Sequence, residues 1–285
     1  MTFRTIQSIL AGVPTMEGAG VRLQRIFGYH ESPRLDPFLL LDHFGSSNPD
    51  DYLAGFPWHP HRGIETVTYV RSGSIEHGDS LGNTGVINSG DVQWMTAGSG
   101  IIHQEMPQRA AEPLQGFQLW VNLPRAQKMM PPRYNEITQR QIPTVAVADA
   151  VQVKVISGTL DGTPGPMQDL MVAIEYLDVE ISGPSDWNHP ITAGFNALAY
   201  VYEGEGLFDV AGSTLVQSSR CVHFSADGDA VQVKVLDGLC RFLLISGKPL
   251  QEPVAWRGPI VMNTHEELHT AFAEFHAGTF IKHKP

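Results

Sequence analysis

The most informative part of the sequence is residues 55–73, which read GFPWHPHRGIETVTYVRSG. Through residues 66–70 polar and apolar side chains alternate with the two-residue period of a β-strand, and Gly73 then suits a turn. The same alternation recurs between glycine-containing turns along the chain, as in residues 231–235, which read VQVKV. This pattern predicts a β-sandwich or a β-barrel.

The second half of the chain repeats the pattern of the first half. Residues 68–74, TYVRSGS, are echoed by residues 199–205, AYVYEGE, and a further predicted strand follows each segment. A chain of 285 residues is long enough for two modest domains of roughly 150 residues each. The prolines and polar residues of segment 131–143 suit a linker, because proline interrupts strand pairing. The sequence therefore predicts two similar β domains.

The clearest predicted helix lies late in the chain, over residues 264–276. Thr264 and Glu267 have the spacing of a capping box, and Gly278 suits the end of the helix. A second, shorter helical turn is expected near residues 125–130, before a pair of prolines. Helix is thus a minor part of the predicted fold.

The composition excludes some classes of function. Lys and Arg number 19 against 30 Asp and Glu, a net charge of −11, and no segment gathers the basic residues that binding to a phosphate backbone requires. No apolar run approaches the ~18 residues of a membrane span, and the first residues lack the features of a signal peptide. Cys221 and Cys240 are expected to be reduced, buried thiols. We therefore predict a soluble, cytoplasmic protein that does not bind nucleic acid or a membrane directly.

Two pairs of residues have the spacing of metal ligands on strands. Residues i and i+2 of a strand face the same side, so His59 and His61 point together, and His103 and Glu105 repeat the arrangement. Three imidazoles and one carboxylate suit Fe(II), Mn(II), Ni(II) or Cu(II), and this mixture of nitrogen and oxygen ligands argues against a thiolate-rich structural zinc site. Glu65 is ambiguous, since it could be a fifth ligand, a salt-bridged residue or a solvated strand residue.

The late helix contains a competing metal motif. Residues 265–269, HEELH, match the H-E-x-x-H pattern of helical zinc proteases. The extended form of that motif needs Gly and His where this chain has Phe272 and Phe275. A solvated, capped helix is therefore the preferred interpretation.

The histidine segments resemble a known family. They are similar to the two sequence motifs of the cupin superfamily, although Thr96 stands where proline is usual and His103 is displaced. The departures match the pirin family, through residues 58–69, WHPHRGIETVTY, and residues 97–105, AGSGIIHQE. The likeness extends along nearly the whole chain, including residues 36–44 and 116–124. It implies an all-β fold of two tandem cupin barrels, of the double-stranded β-helix or jelly-roll type, with a C-terminal helix.

The resemblance also implies that only one of the two barrels binds a metal. Residues 1–135 would form a metal-binding N-terminal cupin domain, and residues 136–285 a C-terminal cupin domain without metal ligands. In the second half Pro190, Thr192, Val233 and Val235 stand opposite the four N-terminal ligand positions, and none of them can replace an imidazole or a carboxylate. Two histidines near those positions, His189 and His223, are expected to be ordinary polar residues.

By the same resemblance, His59, His61, His103 and Glu105 would hold one divalent metal per chain. Iron(II) is favoured, with manganese, nickel, copper and zinc as alternatives. The implied activity is flavonol (quercetin) 2,3-dioxygenation, in which O2 opens the heterocycle and CO is released, with Glu105 as general base. The alternatives are an iron-dependent, redox-sensing regulator that binds transcription or metabolic partner proteins, and a purely structural metal. Candidates for an apolar wall of the substrate site are Phe56, Trp58, Trp94 and Met95.

Overall fold

The structure, a computed structural model, describes residues 1–283 and is built almost entirely of antiparallel strands. The strands of the first half are β1 Ile6–Ala11, β2 Val13–Glu17, β3 Val21–Phe27, β4 Phe38–Ser46, β5 Phe56–His61, β6 Ile64–Ser72, β7 Ser74–Asp79, β8 Thr84–Asn88, β9 Val92–Thr96, β10 Ile101–Pro107, β11 Leu114–Asn122 and β12 Arg133–Ile137. Those of the second half are β13 Thr144–Ala148, β14 Val151–Ser157, β15 Thr159–Leu160, β16 Thr163–Pro164, β17 Ile174–Ser182, β18 Ser185–Pro190, β19 Asn196–Leu207, β20 Leu215–Gln217, β21 Arg220–Phe224, β22 Ala230–Val235, β23 Leu239–Gly247, β24 Ala255–Arg257 and β25 Ile260–Met262. The helices are α1 Ser32–Leu35 and α2 His265–His276, and single 3₁₀ turns occur at Pro49–Asp51, Arg125–Gln127 and Gln139–Gln141.

The strands form two barrels with the same order of strands. In the first barrel the larger sheet runs β12-β9-β6-β11-β4-β3-β2, and the smaller sheet runs β5-β10-β7-β8. In the second barrel the corresponding path is β1-β21-β19-β23-β17-β14-β13, and the β18–β22 pair matches the β5–β10 pair. Two antiparallel sheets of this kind confirm the predicted all-β, two-cupin fold with a C-terminal helix.

The chain divides into two compact units, each of which combines two separate stretches of the sequence. One unit contains residues 13–139 and 250–285, and the other contains residues 1–12 and 140–249. The predicted domains, 1–135 and 136–285, differ from these units at both termini. Strand β1 belongs with the second barrel because it pairs with β21, and we correct the boundary accordingly.

The C-terminal segment belongs to the first barrel for an equally specific reason. The guanidinium of Arg62, 1% exposed, forms an ion pair with Glu274 of α2 at 2.8 Å and donates to the carbonyl of Phe280 at 2.9 Å. The same guanidinium lies 4.2 Å from the ring centroid of Phe280. These contacts hold the last helix and the segment that follows it against the loop after β5.

The interiors of the two barrels differ in polarity. The second barrel has one continuous apolar core, to which β14, β17, β19, β22 and β23 contribute mainly Val, Leu and Phe. Val233 and Val235 belong to this core. The apolar clusters of the first barrel include one around Phe44 and one around Met95. In that barrel the inward face of β10 carries His103 and Glu105, both nearly fully buried.

Several local expectations need correction. The echo between residues 68–74 and 199–205 suggests a turn at Gly204 like that at Gly73, but β19 continues through Gly204 with a bulge between Val201 and Glu203. A Cβ at Gly204 would stand 1.7 Å from the carbonyl oxygen of Leu239, so the position requires glycine. The expected linker is only partly a linker, since β12 pairs with β9 inside the first barrel.

Other local features agree with the sequence interpretation. Helix α2 begins with the predicted capping box of Thr264 and Glu267. Cys221 and Cys240 are free and buried, and burial raises the pKa of both thiols. Within residues 1–283, no helix is long and apolar enough to cross a lipid bilayer.

Candidate metal centre

Two of the predicted ligands lie at the end of β5. His59 and His61 are two residues apart on this strand, and the hydrogen bonds of their rings fix the rings' orientation. His59 Nδ1 lies 2.8 Å from the carbonyl oxygen of Pro57, and His61 Nδ1 lies 3.1 Å from that of Pro259. A carbonyl oxygen only accepts, so each Nδ1 carries the proton and each Nε2 presents its lone pair.

His103 joins this pair from the neighbouring strand. In the β5–β10 ladder His103 stands directly opposite His59, and their ring centroids are 4.4 Å apart. Among residues 1–283, the ring nitrogens of His59, His61 and His103 form the one cluster of three or more potential ligand atoms lying within 4.8 Å of one another. The structure thus brings together the three histidines that the sequence singled out.

The cluster has the chemistry of a metal site. The Nε2 atoms of His59 and His61 are 3.1 Å apart, less than twice a typical metal–nitrogen bond of about 2.1 Å, so a single ion can contact both. Within the described chain, neither ring nitrogen of His103 has a hydrogen-bond partner, although the side chain is fully buried. A cation would satisfy these nitrogens and relieve the opposed lone pairs, so the residues present fit a divalent metal.

Burial prepares two of the three imidazoles for a metal. Desolvation lowers the pKa of His61 well below its usual value, and the neighbouring His59 lowers it further. Desolvation acts in the same direction on His103, as do the adjacent imidazoles. Both side chains are therefore neutral at pH 7, which is the form that binds a metal.

Glu105, the fourth predicted ligand, is not a member of the cluster. A bulge in the β5–β10 register between His103 and Glu105 places Glu105 opposite Phe56. Its carboxylate instead accepts hydrogen bonds, at 2.8 Å each, from the Thr68 hydroxyl and the Gln118 amide. Glu105 therefore lies on the same buried strand as His103 but is held by neutral donors of β6 and β11.

The sequence interpretation missed a fourth histidine beside the cluster. His77 of β7 pairs with Glu105 across the β7–β10 ladder, and its ring centroid lies 5.5 Å from that of His103. Its Nε2 lies 3.4 Å from Asp79, and its ring stacks on Tyr134 at 4.8 Å. The sequence did contain an indication of this residue. His77 and Asp79 are two residues apart, the same spacing that placed His59 and His61 on one face of a strand.

A cavity of ≈ 560 Å³ opens onto the cluster. His59 and His61 line it directly, and so does Gln118, the residue that donates to Glu105. Three aromatic side chains form much of its wall: Tyr29, Trp120 and Trp256. The volume falls within the range of about 300–1,000 Å³ that is usual for small-molecule sites.

The wall differs from the one expected from the sequence. Phe56 does line the cavity, but Trp58 is 55% exposed and is not a lining residue. Trp94 and Met95 are fully buried, and Trp94 donates a hydrogen bond to Glu65 at 3.2 Å. These two residues belong to the barrel interior because β9 is buried along its whole length.

Polar groups also contribute to the cavity. Arg25 forms a two-point contact with Asp42, at 2.9 and 2.8 Å, and an ion pair with Glu17 at 2.8 Å. All three residues line the cavity. The first barrel therefore offers an aromatic wall together with a fixed network of charges.

Glu65 is a buried structural residue. Its oxygens accept hydrogen bonds from Thr96 at 2.7 Å and from Trp94, and burial raises the pKa of its carboxyl group. It is not part of the histidine cluster. The expectation of a solvated or salt-bridged strand residue is wrong, because the side chain is 1% exposed and bonded to neutral donors.

The loop after β5 depends on a glycine. Gly63 has φ +78, and a Cβ there would stand 1.9 Å from the carbonyl oxygen of Val261. The buried ammonium of Lys128 donates to the carbonyl of Gly63 at 2.8 Å and to Asn122 at 2.6 Å. This arrangement fixes the chain directly after His61.

The two histidines of the competing H-E-x-x-H motif are exposed on α2 and are not in the cluster. We expect that replacing His265 and His269 together by Ala leaves the metal content unchanged, because neither imidazole has a third ligand nearby. Elemental analysis of the purified variant checks this. A loss of metal would show that α2, rather than β5 and β10, holds the ion.

Two antiparallel barrels of matching strand order, one with buried histidines beside a cavity, define a two-domain cupin protein. The family models described as Pirin and as Pirin C-terminal cupin domain match residues 20–121 and 176–281, respectively. The chain belongs to the pirin family.

Individual relatives agree with this assignment. The chain is 45% identical over 281 residues to a pirin-like protein of Caulobacter vibrioides, covering 98% of this chain and 100% of the relative. It is 40% identical over 280 residues to a Pseudomonas aeruginosa protein named "Putative quercetin 2,3-dioxygenase", covering 97% and 98%. The crystal structure of a quercetin 2,3-dioxygenase from Acinetobacter baumannii superimposes with a TM-score of 0.91 at 31% identity, covering 98% of each chain.

Proposed function

We propose that this protein is a metal-dependent flavonol 2,3-dioxygenase that acts on quercetin-like substrates. The observation that carries the proposal is the cluster of three histidines bordering a cavity with aromatic walls. The names of the Pseudomonas and Acinetobacter relatives support the same reaction. In this reaction one flavonol and one O2 give a ring-opened ester and one CO. The hydroxyl-bearing carbon leaves as CO with its own oxygen, and both oxygen atoms of O2 enter the ester.

His59, His61 and His103 would hold one divalent metal, for which we propose iron(II), and Glu105 would complete the ligand set. When bound, the metal supplies a Lewis-acidic site at which the flavonol hydroxyl and O2 can meet. Three neutral imidazoles and one carboxylate suit Fe, Mn, Ni or Cu, so availability also influences which metal is loaded. The protein's own contribution is to bind, orient and deprotonate the substrate.

Glu105 is proposed as the group that accepts the proton of the flavonol 3-hydroxyl. Thr68 and Gln118 hold the two oxygens of its carboxylate, so its orientation is fixed before substrate arrives. Gln118 also accepts a hydrogen bond from the indole of Trp120 at 3.1 Å. A chain of contacts therefore links the aromatic wall of the cavity to the proposed base.

The aromatic wall is proposed to hold the flat rings of the substrate. Trp256 lies 5.5 Å from Tyr29 and 6.0 Å from Trp120, measured between ring centroids. Such rings stack favourably on a planar aromatic ligand and exclude water from the reacting atoms. The Arg25–Asp42 pair offers fixed polar contacts to the ligand's hydroxyl groups.

Reconstitution with single metals tests the proposed reaction. The protein is purified anaerobically with a chelator, loaded separately with Fe(II), Mn(II), Ni(II), Cu(II) or Zn(II), and mixed with quercetin and O2. We expect at least one redox-capable metal to support loss of the quercetin absorbance with release of CO. Absence of turnover with every metal would contradict the enzyme proposal and favour the regulatory alternative.

Substituting Trp256 tests whether the substrate binds against the aromatic wall of the cavity. We expect Trp256→Ala to raise KM for quercetin by about tenfold, because the variant loses one large aromatic contact, while metal content stays the same. Steady-state kinetics and metal analysis provide the measurement. Trp58→Ala is the matched control, since Trp58 is exposed and outside the cavity, and its KM should match that of the wild type. Equal KM values in the two variants would place the substrate elsewhere.

A further inference from the structure

The second barrel has a cavity of its own, of ≈ 450 Å³. Strands β17, β18 and β23 contribute Glu175, Pro190 and Ser246 to its lining. These strands correspond in sheet order to β4, β5 and β11, which line the cavity of the first barrel. Both barrels therefore have a cavity at equivalent strands, although among residues 1–283 the histidine cluster occurs in the first barrel only.

A buried histidine lies directly behind two lining residues of this second cavity, Glu175 and Ser246. His189 Nε2 lies 3.0 Å from Glu175 Oε2, and the hydroxyl of Ser246 donates to the same oxygen at 3.3 Å. His189 is 2% exposed, and its ring stacks on Trp187 with a centroid distance of 5.0 Å and an angle of 25°. His189, expected from the sequence to be an ordinary polar residue, thus has a carboxylate and an aromatic ring as its neighbours.

Burial of an imidazole is costly unless the ring is hydrogen-bonded, and the contact with Glu175 meets that requirement. Val231, Val233 and Phe242 surround the same region of the core, and none of them offers a polar contact. The contacts of His189 and Ser246 both use Oε2 of Glu175, and Glu175 itself lines the cavity. A carboxylate that His189 and Ser246 hold in place at a cavity wall can anchor a ligand of opposite charge.

The charges of the lining indicate what it would bind. Glu175 and Asp169 are its two charged residues, and the lining contains neither lysine nor arginine. The buried Arg4 uses its guanidinium on the carbonyls of Thr192 and Phe195, so it offers no anion site. An acidic cavity of this size attracts a positively charged group rather than a carboxylate or a phosphate.

The rest of the lining is suited to an apolar body. Met167, Leu170 and Phe195 contribute hydrophobic surface, and the cavity can hold a molecule with one small ring. We propose that this cavity is a second binding site, which takes a small organic cation whose primary ammonium group contacts Glu175. The proposal is independent of the dioxygenase reaction, because it involves neither the histidine cluster nor the first cavity.

Fluorine NMR can observe the two cavities separately. The chain has five tryptophans, of which Trp187 lies in the second barrel whereas Trp120 and Trp256 line the first cavity. The full-length protein is labelled with 5-fluorotryptophan, and the Trp187 resonance is assigned with Trp187→Phe. Three matched probes, 2-phenylethylamine, 2-phenylethanol and phenylacetate, are titrated under identical conditions.

We expect the amine to shift the Trp187 resonance saturably, with an affinity about tenfold or more above that of the alcohol, because an ammonium–carboxylate contact is stronger than a neutral one. Phenylacetate should leave that resonance unmoved. Equal affinities for the three probes, or an amine-induced shift at Trp120 and Trp256 only, would overturn the proposal. This comparison needs no substitution at the site, so it stays decisive even where a variant is unstable.

Variants then assign the contact. Glu175→Gln, shown to be folded by its dispersed fluorine spectrum, should weaken amine binding about tenfold. The joint change His59→Ala and His61→Ala should leave amine binding unaltered, which separates this site from the proposed dioxygenase centre. Unchanged amine affinity in folded Glu175→Gln would contradict the assignment of Glu175 as the anchor.

Discussion

Replacing His59 and His61 together by Ala is expected to reduce the bound metal from one equivalent per chain to nearly none. The two imidazoles present Nε2 atoms 3.1 Å apart, and only His103 would remain in the cluster. One imidazole, even with the proposed ligand Glu105, is too small a ligand set to retain a divalent ion against a chelator. Elemental analysis after brief dialysis against a chelator provides the measurement, and flavonol turnover should be lost with the metal.

The control for this experiment is His189→Ala, which removes a buried histidine from the second barrel instead. Its metal content should equal that of the wild type. One full equivalent of metal in the His59→Ala, His61→Ala variant would place the ion outside β5 and β10. Two equivalents in the wild type would show a second metal site in the chain.

Glu105→Gln is expected to separate metal binding from catalysis. The amide keeps the shape of the side chain and one carbonyl oxygen, and the Thr68 hydroxyl can rotate to accept from the new amide group. Metal should therefore remain bound, though more weakly. The amide cannot accept the substrate's proton, so turnover per bound metal should fall by ~10²–10⁴-fold, the usual contribution of a positioned general base.

Glu65→Gln is the matched control for Glu105→Gln. Glu65 is a buried carboxylate of the same barrel, bonded to Thr96 and Trp94, neither of which lines the cavity, whereas Glu105 is bonded to the lining residue Gln118. Its turnover per bound metal should stay within about twofold of the wild type. An unchanged rate in Glu105→Gln, or an equal loss in the two variants, would show that Glu105 is not the base.

The placement of the three histidines could be predicted because it depends on short-range geometry. The two-residue period of a strand was enough to put His59 and His61 on one face. The same two-residue rule fails for Glu105. The bulge after His103 shifts the pairing of β10 with β5, and no alternation pattern in the sequence reveals that bulge. The i, i+2 rule therefore predicts pairs within a regular strand but not across an irregular one.

The cavity could not be predicted, because its wall is assembled from distant parts of the chain. Trp256 lies more than 100 residues from Trp120, and the carbonyl of Pro259 that orients His61 follows it by 198 residues. Similarly, the N-terminal strand β1 belongs to the second barrel because it pairs with β21, and the C-terminal segment belongs to the first barrel because it contacts Arg62. Long-range pairings of this kind leave no local pattern in the sequence.

Product analysis under ¹⁸O2 tests the central claim most directly. The metal-loaded wild-type protein is mixed with quercetin under ¹⁸O2, and the ester product and the released CO are examined by mass spectrometry. The account predicts two ¹⁸O atoms in each ester, unlabelled CO in equal amount, and neither product from the His59→Ala, His61→Ala variant. Failure of the loaded wild-type protein to form the ester, or an ester containing oxygen from water in place of ¹⁸O, would contradict it.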